Sequence, residues 1–258
     1  MTASGSTDSI TLGNGAGDSV TLGAGLAGST QTVVLGTGAG DTVVSTSVGT
    51  VNVTVGSAAT GTDTITANSA ATFHATAGNG TNVIADSAAG ASIAISVGTG
   101  ANTITVGADT SGTISLGTHT GTDALSLGAS GTSLTAIEKI SGLNNSTTDT
   151  LTFSGDATTI ASVTQVTAGS VIGSHGDTTL LADWVAAATG ATGSAITGTA
   201  HTVVWFQYQG NTYLVETVGA DTGSLATGDT LVELTGTSYT FAHASSATNT
   251  SGALHFLG

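Results

Sequence analysis

Acidic and amide side chains recur along the first half of this chain at nearly constant spacing. They are Asp18, Asp41, Asp63, Asn82, Asn102 and Asp123, separated by 23, 22, 19, 20 and 21 residues. Each follows a glycine-rich segment and precedes a short run of alternating β-formers, as in GTGAGDTVV from Gly36. Carboxylate, amide and carbonyl oxygens are the ligands that Ca²⁺ prefers. A sequence period near twenty residues predicts that each repeat is one coil of a solenoid.

The elements that must position these side chains are short strands. Within them Val, Ile or Leu alternates with Thr or Ser, which is the period-two pattern of a half-buried strand. Val51, Val53 and Val55, for example, bracket Asn52 and Thr54. Two such strands occur in each repeat. The pattern predicts a mainly β protein, built as a parallel β-roll or β-helix solenoid with coils of about 20 residues.

The two turns of each predicted coil differ in composition. One turn is glycine-rich and carries the Asp or Asn, whereas the other is rich in Ala, Ser and Gly and mostly uncharged, as in STSVGT and ANSAAT. Ligands from successive coils would lie about 4.8 Å apart along the acidic edge. That arrangement favours calcium bound along a single edge. The alternative is a metal-free ladder, because Asp and Asn side chains also bond backbone amides in turns.

Composition restricts the classes of partner. Lys and Arg together number 1 against 16 Asp and Glu, a formal charge of -15. We therefore expect no nucleic-acid partner, because phosphate binding requires several cationic side chains. Cysteine is absent, which rules out disulfides and thiolate metal sites. We expect no transmembrane segment, since no run of 18 apolar residues occurs. The start, MTASGSTDSI, lacks a basic and an apolar region, so no cleaved secretion signal is expected.

The second half of the chain differs from the first in composition. Both Trp, all three Tyr and four of the five Phe follow residue 150. The segment from Asp177 predicts one amphipathic helix with Asp177 as its N-cap. His201–Val218 predicts a β-hairpin that turns at Gly210 and Asn211, and Gly228–Gly236 predicts a further strand. We expect a small β-rich C-terminal domain with one helix.

The repeat pattern Gly-x-Gly-x-Asp-x-(apolar)-x resembles the RTX nonapeptide of calcium-binding β-rolls. The resemblance implies Ca²⁺ as the cofactor. It implies carboxylate ligands at Asp18, Asp41, Asp63 and Asp123, and weaker positions at Asn82 and Asn102, where a charge is lost. The glycines that it implies as carbonyl ligands are Gly13, Gly15, Gly36, Gly38 and Gly121.

The stretch from about residue 135 to 258 is similar to the C-terminal region of bacterial S-layer and other RTX-type proteins exported by type I secretion. The residues that carry this resemblance are the helical segment, WFQYQGNTYLV and GDTLVELTG. The resemblance implies an uncleaved C-terminal export signal and a secreted, extracellular or cell-surface protein. It divides the chain into RTX-like solenoid repeats at 1–142 and a capping, secretion and assembly domain at 143–258.

No arrangement typical of a catalytic site stands out, and we expect no enzyme activity. The six His are scattered, without metalloprotease spacing, and His119 is interpreted as a surface or packed residue of a repeat turn. The favoured function is an extracellular structural protein that self-associates into a calcium-stabilised surface layer or fibre, with cell-surface polysaccharide as a further partner. The alternatives are a secreted calcium-dependent adhesin or glycan-binding module, using aromatics such as Trp205, and the RTX tail of a larger secreted enzyme.

Overall fold

The computed structural model describes residues 2–3, 7–56, 61–108, 111–119, 121–135, 137–143, 149–153, 160, 162–174, 177–194, 196, 199–236, 239 and 253–255. The chain is mainly β and forms a parallel β-solenoid of about 6 turns of ~22 residues, which confirms the predicted architecture. Neither of the described helices is long and apolar enough to cross a membrane.

The solenoid strands are short and alternate between two sheets. In chain order they are β1 (Thr2–Ala3), β2 (Thr7–Thr11), β3 (Ser19–Leu22), β4 (Thr30–Leu35), β5 (Thr42–Ser45), β6 (Thr50–Val55), β7 (Thr62–Ala67), β8 (Thr72–Thr76), β9 (Thr81–Asp86), β10 (Ser92–Val97), β11 (Thr103–Val106), β12 (Ser111–Leu116), β13 (Ala124–Leu127), β14 (Glu138–Ser141) and β15 (Thr150–Phe153).

The second half adds β16 (Ser162–Gln165), α1 (Ala168–Ser174), α2 (Leu181–Ala188), β17 (Thr202–Tyr208), β18 (Asn211–Thr217), β19 (Thr230–Thr235) and β20 (Ala253–His255). The first sheet has the order β1-β3-β5-β7-β9-β11-β13-β15-β20. The second has the order β16-β17-β18-β19-β14-β12-β10-β8-β6-β4-β2. Because β14 pairs with β19, the second sheet runs without a break from the repeats into the C-terminal half.

The strand register follows the repeat. Ser19 pairs with Thr42 and Thr42 with Thr64, so equivalent residues stack directly from coil to coil. Val51, Val53 and Val55 are buried whereas Thr54 is exposed, as the alternation predicts. The inward residues of both sheets form one continuous apolar core. Alternation thus fixes which face of each strand is buried, because successive side chains of a strand point to opposite faces.

The C-terminal half differs from the prediction in three details. It has two short helices rather than one, since α1 precedes α2. Asp177 does not cap α2: the helix starts after Leu180, and the Asp177 carboxylate instead accepts a bond from the Thr179 amide at 2.8 Å. The hairpin turns at Gln209 and Gly210, both with positive φ, and not at Gly210 and Asn211.

A second apolar core lies on the other face of the C-terminal strands. Trp184 of α2 stacks on Phe206 with ring centroids 5.4 Å apart, and Phe206 stacks on Tyr213 at the same separation. Trp205, on the opposite face of β17, is 4% exposed and belongs to the solenoid core. The aromatic side chains of the hairpin therefore contribute to both cores, one on each face of the sheet. Trp205, proposed above for glycan contact, offers almost no surface to a sugar.

Candidate metal centre

The recurring Asp and Asn side chains form an internal column. Each directly precedes a strand of the first sheet or is the second residue of one, and all except Asp18 are buried inside the coil. Asp41, Asp63, Asn82, Asn102 and Asp123 are all at most 1% exposed. Asp18, in the first coil, is partly exposed. The structure therefore brings the predicted residues together, but inside the solenoid and not along its surface.

Hydrogen bonds along this column link successive coils. At Asp41, Asp63, Asp123 and Asp149, one carboxylate oxygen accepts a bond from the backbone N–H of the equivalent residue in the preceding coil. Asn82 Oδ1 is buried and has no hydrogen-bond partner. Asp18 donates to Asp41 Oδ1 at 2.9 Å, and Asp41 donates to Asp63 Oδ1 at 2.9 Å. Farther along, Asn102 donates to Asp123 at 2.7 Å, and Asp123 donates to Asp149 at 2.9 Å. Such bonds are those of the metal-free Asp and Asn ladder, the alternative to bound calcium.

The two asparagines use their second polar atom differently from the aspartates. Asn82 Nδ2 donates to the carbonyls of Gly78 and Gly80, both at 3.0 Å, and to Asn102 Oδ1 at 2.8 Å. Asn102 Nδ2 donates to the Gly100 carbonyl at 2.9 Å and to Asp123 Oδ1. The carbonyls of the glycine turns thus face the column, and an amide NH₂ group satisfies them in these two coils.

Aspartate has no such donor. Asp41 Oδ2 and Asp63 Oδ2 are buried and have no hydrogen-bond partner. Lys139, the chain's single Lys or Arg, is engaged elsewhere, 3.1 Å from Glu233. Burial of an unpaired carboxylate is costly. Adjacent coils therefore carry two carboxylates without a countercharge, and these coils offer the clearest fit to a hard cation.

Three glycines of the predicted ligand set have a structural explanation. The Gly13 carbonyl accepts a bond from the Gly36 amide at 3.2 Å, and the Gly36 carbonyl accepts one from Gly56 at 3.0 Å. A Cβ on Gly38 would overlap the Gly15 carbonyl oxygen, and one on Gly121 would lie 2.9 Å from the Ala101 nitrogen. Close stacking of the coils therefore requires glycine at Gly36, Gly38 and Gly121, independently of any metal. Gly13 and Gly15 have room for a Cβ and are not explained in this way.

A histidine enters the column at its C-terminal end. His119 Nε2 lies 3.0 Å from Asp149 Oδ2, its Nδ1 lies 2.6 Å from the Gly117 carbonyl, and Nδ1 is 3.5 Å from Asp123 Oδ2. His119 is 3% exposed and both aspartates are fully buried. Sequence reasoning placed His119 in a turn and left Asp149 out of the ligand set.

Two sequence signals could have found this cluster. Asp149 opens DTLTF, which has the same form as the DTVV segment that begins at Asp41. His119 precedes Asp123 by four residues, the offset at which Gly78 precedes Asn82. The Gly78 carbonyl points into the column to meet Asn82. The matching offset gives His119 the position in its own coil that Gly78 has two coils earlier.

Burial has the largest single effect on the pKa values of Asp123 and His119. It raises the pKa of Asp123, an effect only partly offset by bonds from Asn102. It opposes the charged form of His119, but the Gly117 carbonyl and the carboxylates of Asp123 and Asp149 together outweigh that effect, and the pKa of His119 is raised. The cluster is a polar pocket in which positive charge is favoured.

Asp86 is a buried carboxylate outside the column. It ends β9 and pairs in register with Ala67 and Val106 of the neighbouring coils, both buried and apolar. One oxygen accepts a bond from the Ala88 amide at 3.0 Å, whereas Oδ2 has no partner. Burial raises the pKa of Asp86 to about 6, with the Ala88 bond acting in the opposite direction.

We expect Asp86→Asn to remove a pH-dependent loss of stability. Because the folded-state pKa is raised, the Asp86 contribution is most favourable below about pH 4 and is lost as pH rises through 6. A shift of about two units corresponds to roughly 3 kcal/mol. The free energy of unfolding of the variant should therefore exceed that of wild type by about 3 kcal/mol at pH 8, with no gain at pH 4.

Urea denaturation at the two pH values measures this difference. The isosteric Asp183→Asn, on helix α2, is the control for removing one negative charge at a partly exposed position. An Asp86→Asn curve parallel to wild type from pH 4 to 8 would show that the carboxylate is not the source of the pH dependence.

Comparison with known proteins adds no relative. No family model matches the chain, and neither a curated protein nor a solved structure does.

Proposed function

We propose that the protein is an extracellular structural protein, a calcium-stabilised β-solenoid that self-associates end to end into a surface layer or fibre. The observation that carries the proposal is the pair of buried, unpartnered carboxylate oxygens on Asp41 and Asp63. These residues occupy adjacent coils and are bonded to each other through the Asp41 amide. A Ca²⁺ ion there would supply the missing positive charge and accept oxygen ligands from both coils.

Self-association is supported by the open edge at the N-terminal end of the solenoid. Strand β2 is the last strand of the second sheet and pairs, among the described strands, only with β4. The Leu12 amide bonds to Val34 of β4, so by alternation the amides of Ser9 and Thr11 face the open side. Lys and Pro, which commonly block sheet edges, are absent from β2. A second copy could extend the sheet at this edge.

Location outside the cell is supported by the composition and by the resemblance described above. Cysteine is absent and the formal charge is -15. Extracellular calcium sites commonly bind in the range of about 10⁻⁴–10⁻³ M, so a site of this kind would fill outside a cell and empty inside it. The stack would then be stabilised after export rather than before.

The calcium part is tested by unfolding the full chain with calcium and with chelator. At a calcium concentration of 100 times Kd, one site adds about 2.7 kcal/mol to the free energy of unfolding. We expect this gain in wild type and in Asp183→Asn, and its loss in Asp41→Asn and Asp63→Asn, which keep the ladder acceptor but lose the charge. Equal gains in all four proteins would contradict calcium binding at these residues.

The assembly part is tested by electron microscopy of the full chain. We expect ordered polymers with calcium and fewer or none with chelator. Thr11→Lys places a charge on the open edge and should abolish them. Thr113→Lys places the same charge on the exposed face of β12, away from the edge, and should not. If wild type stays monomeric with calcium, or if Thr11→Lys polymerises normally, the proposed mode of assembly is wrong.

A further inference from the structure

The cluster of His119, Asp123 and Asp149 differs from the rest of the column in its chemistry. Elsewhere the column offers only oxygen atoms and amide groups, but here an imidazole joins two carboxylates. One ligand atom from each of the three residues can be chosen so that all lie within 4.8 Å of one another. His119 Nε2 and Asp149 Oδ2 are 3.0 Å apart and share a hydrogen bond, close enough for both atoms to reach one ion with bonds of about 2.0–2.2 Å.

An independent observation points to a ligand. Asp123 Oδ1 accepts two bonds from Asn102, but Asp123 Oδ2 is fully buried and accepts none. That oxygen lies on the side of His119, 3.5 Å from Nδ1. A buried carboxylate oxygen directed at a histidine and left without a hydrogen bond is costly unless a cation compensates it.

We propose that these three residues bind one divalent transition-metal ion of the Zn²⁺ class. A ring nitrogen of His119 and one carboxylate oxygen each from Asp123 and Asp149 would be its protein ligands. Imidazole nitrogen suits zinc and its neighbours, whereas Ca²⁺ takes oxygen ligands. Two carboxylates with a neutral imidazole balance a dication, while a proton alone leaves the buried cluster with a net negative charge. This inference goes beyond the proposed calcium sites at Asp41 and Asp63.

The position of the cluster gives the ion a structural role. Asp123 directly precedes β13 and Asp149 directly precedes β15, which are paired strands of the last two solenoid coils. His119 lies on the turn that leads into the first of them. An ion shared by all three would clamp the final coils together where the stack meets the C-terminal half, and its binding energy would add to folding stability.

The test uses the full chain, stripped of metal with chelator and titrated with ZnCl₂ by calorimetry. We expect one Zn²⁺ to bind per chain at this cluster and to raise the unfolding temperature. Asp123→Asn keeps the acceptor for Asn102 but loses the charge, and His119→Gln loses the nitrogen. Each should weaken the site by more than about 100-fold, the upper cost of losing even an outer-shell partner. Circular dichroism verifies that each variant is folded.

Two controls separate this site from others. His74→Gln changes an exposed histidine bonded to Asn52, and Asp63→Asn changes a buried aspartate of the column away from the cluster. Both should bind Zn²⁺ as wild type does. Co²⁺ should give visible absorption bands of a bound ion in wild type that are absent in His119→Gln. If wild type binds no stoichiometric Zn²⁺, or if both cluster variants retain it, the inference is overturned. Loss of calcium binding in Asp63→Asn bears only on the proposed function.

Discussion

Replacing Gly38 by alanine is expected to separate the first coil of the solenoid from the second. Gly38 is buried, and a Cβ there would overlap the Gly15 carbonyl oxygen directly beneath it. Backbone cannot move aside as a flexible side chain does, so the coils must part locally. We expect the free energy that holds the first coil in place to fall by about 3 kcal/mol or somewhat more, the upper end of typical overpacking effects.

Amide exchange measures this loss coil by coil. Because each coil of a solenoid contacts only its neighbours, exchange in β2 and β4 should accelerate by roughly 10²–10³-fold, the equivalent of that free energy. Exchange in β10 and β12 should change little. Gly15→Ala is the matched control: it occupies the equivalent position one coil earlier, and its Cβ would meet only the Asp18 carboxylate at 3.7 Å. Equal exchange in the two variants would contradict the steric explanation.

Replacing Phe73 by alanine is expected to cost about 3–5 kcal/mol of unfolding free energy, the usual range for a buried phenylalanine. Phe73 is fully buried in the middle of the stack and pairs in register with Val51 and Ile93 of the adjacent coils. The thin core around it is built from such small side chains, which cannot collapse into the space that a ring leaves. A cavity in a central coil weakens contacts on both sides.

Urea denaturation of three variants tests this account. Phe73→Leu keeps most of the volume and should cost less than about 1.5 kcal/mol. His74→Ala changes the next residue of β8, which points outward, and should cost less than about 0.5 kcal/mol. We also expect Phe73→Ala to broaden the transition or split it in two, since the coils on either side become less strongly coupled. A single sharp transition with little loss would show that the core repacks.

The architecture was predictable because its cause is local and repeated. Alternation within segments such as Val51–Val55 determines which side chains are buried, and the spacing from Asp18 to Asp41 equals the register shift between β3 and β5. The C-terminal details were less predictable. Asp177 looks like a helix cap, but its carboxylate bonds the Thr179 amide two residues on, and α2 starts later. Trp184 Nε1 also donates to the Thr178 carbonyl within this turn, at 3.0 Å.

For the acidic column, the sequence predicted which residues belong to it but not their environment. The spacing of Asp41, Asp63 and their equivalents shows that they share one position of every coil. It does not show whether that position faces water or the core, because Asp and Asn are common in both ladders and exposed turns. His119 and Asp149 were harder still, since they are thirty positions apart in sequence and meet only through the stacking of coils.

The repeat, the two strands per coil, the buried face of each strand and the shared position of the acidic residues were all predictable from the amino-acid sequence. These follow from periodicity, which is read from neighbouring residues. Three features became visible only in the folded chain: the acidic column lies inside the solenoid, one oxygen each of Asp41 and Asp63 lacks a hydrogen-bond partner, and His119 contacts Asp123 and Asp149. The physical reason is that burial and charge compensation depend on what the next coil places beside each side chain.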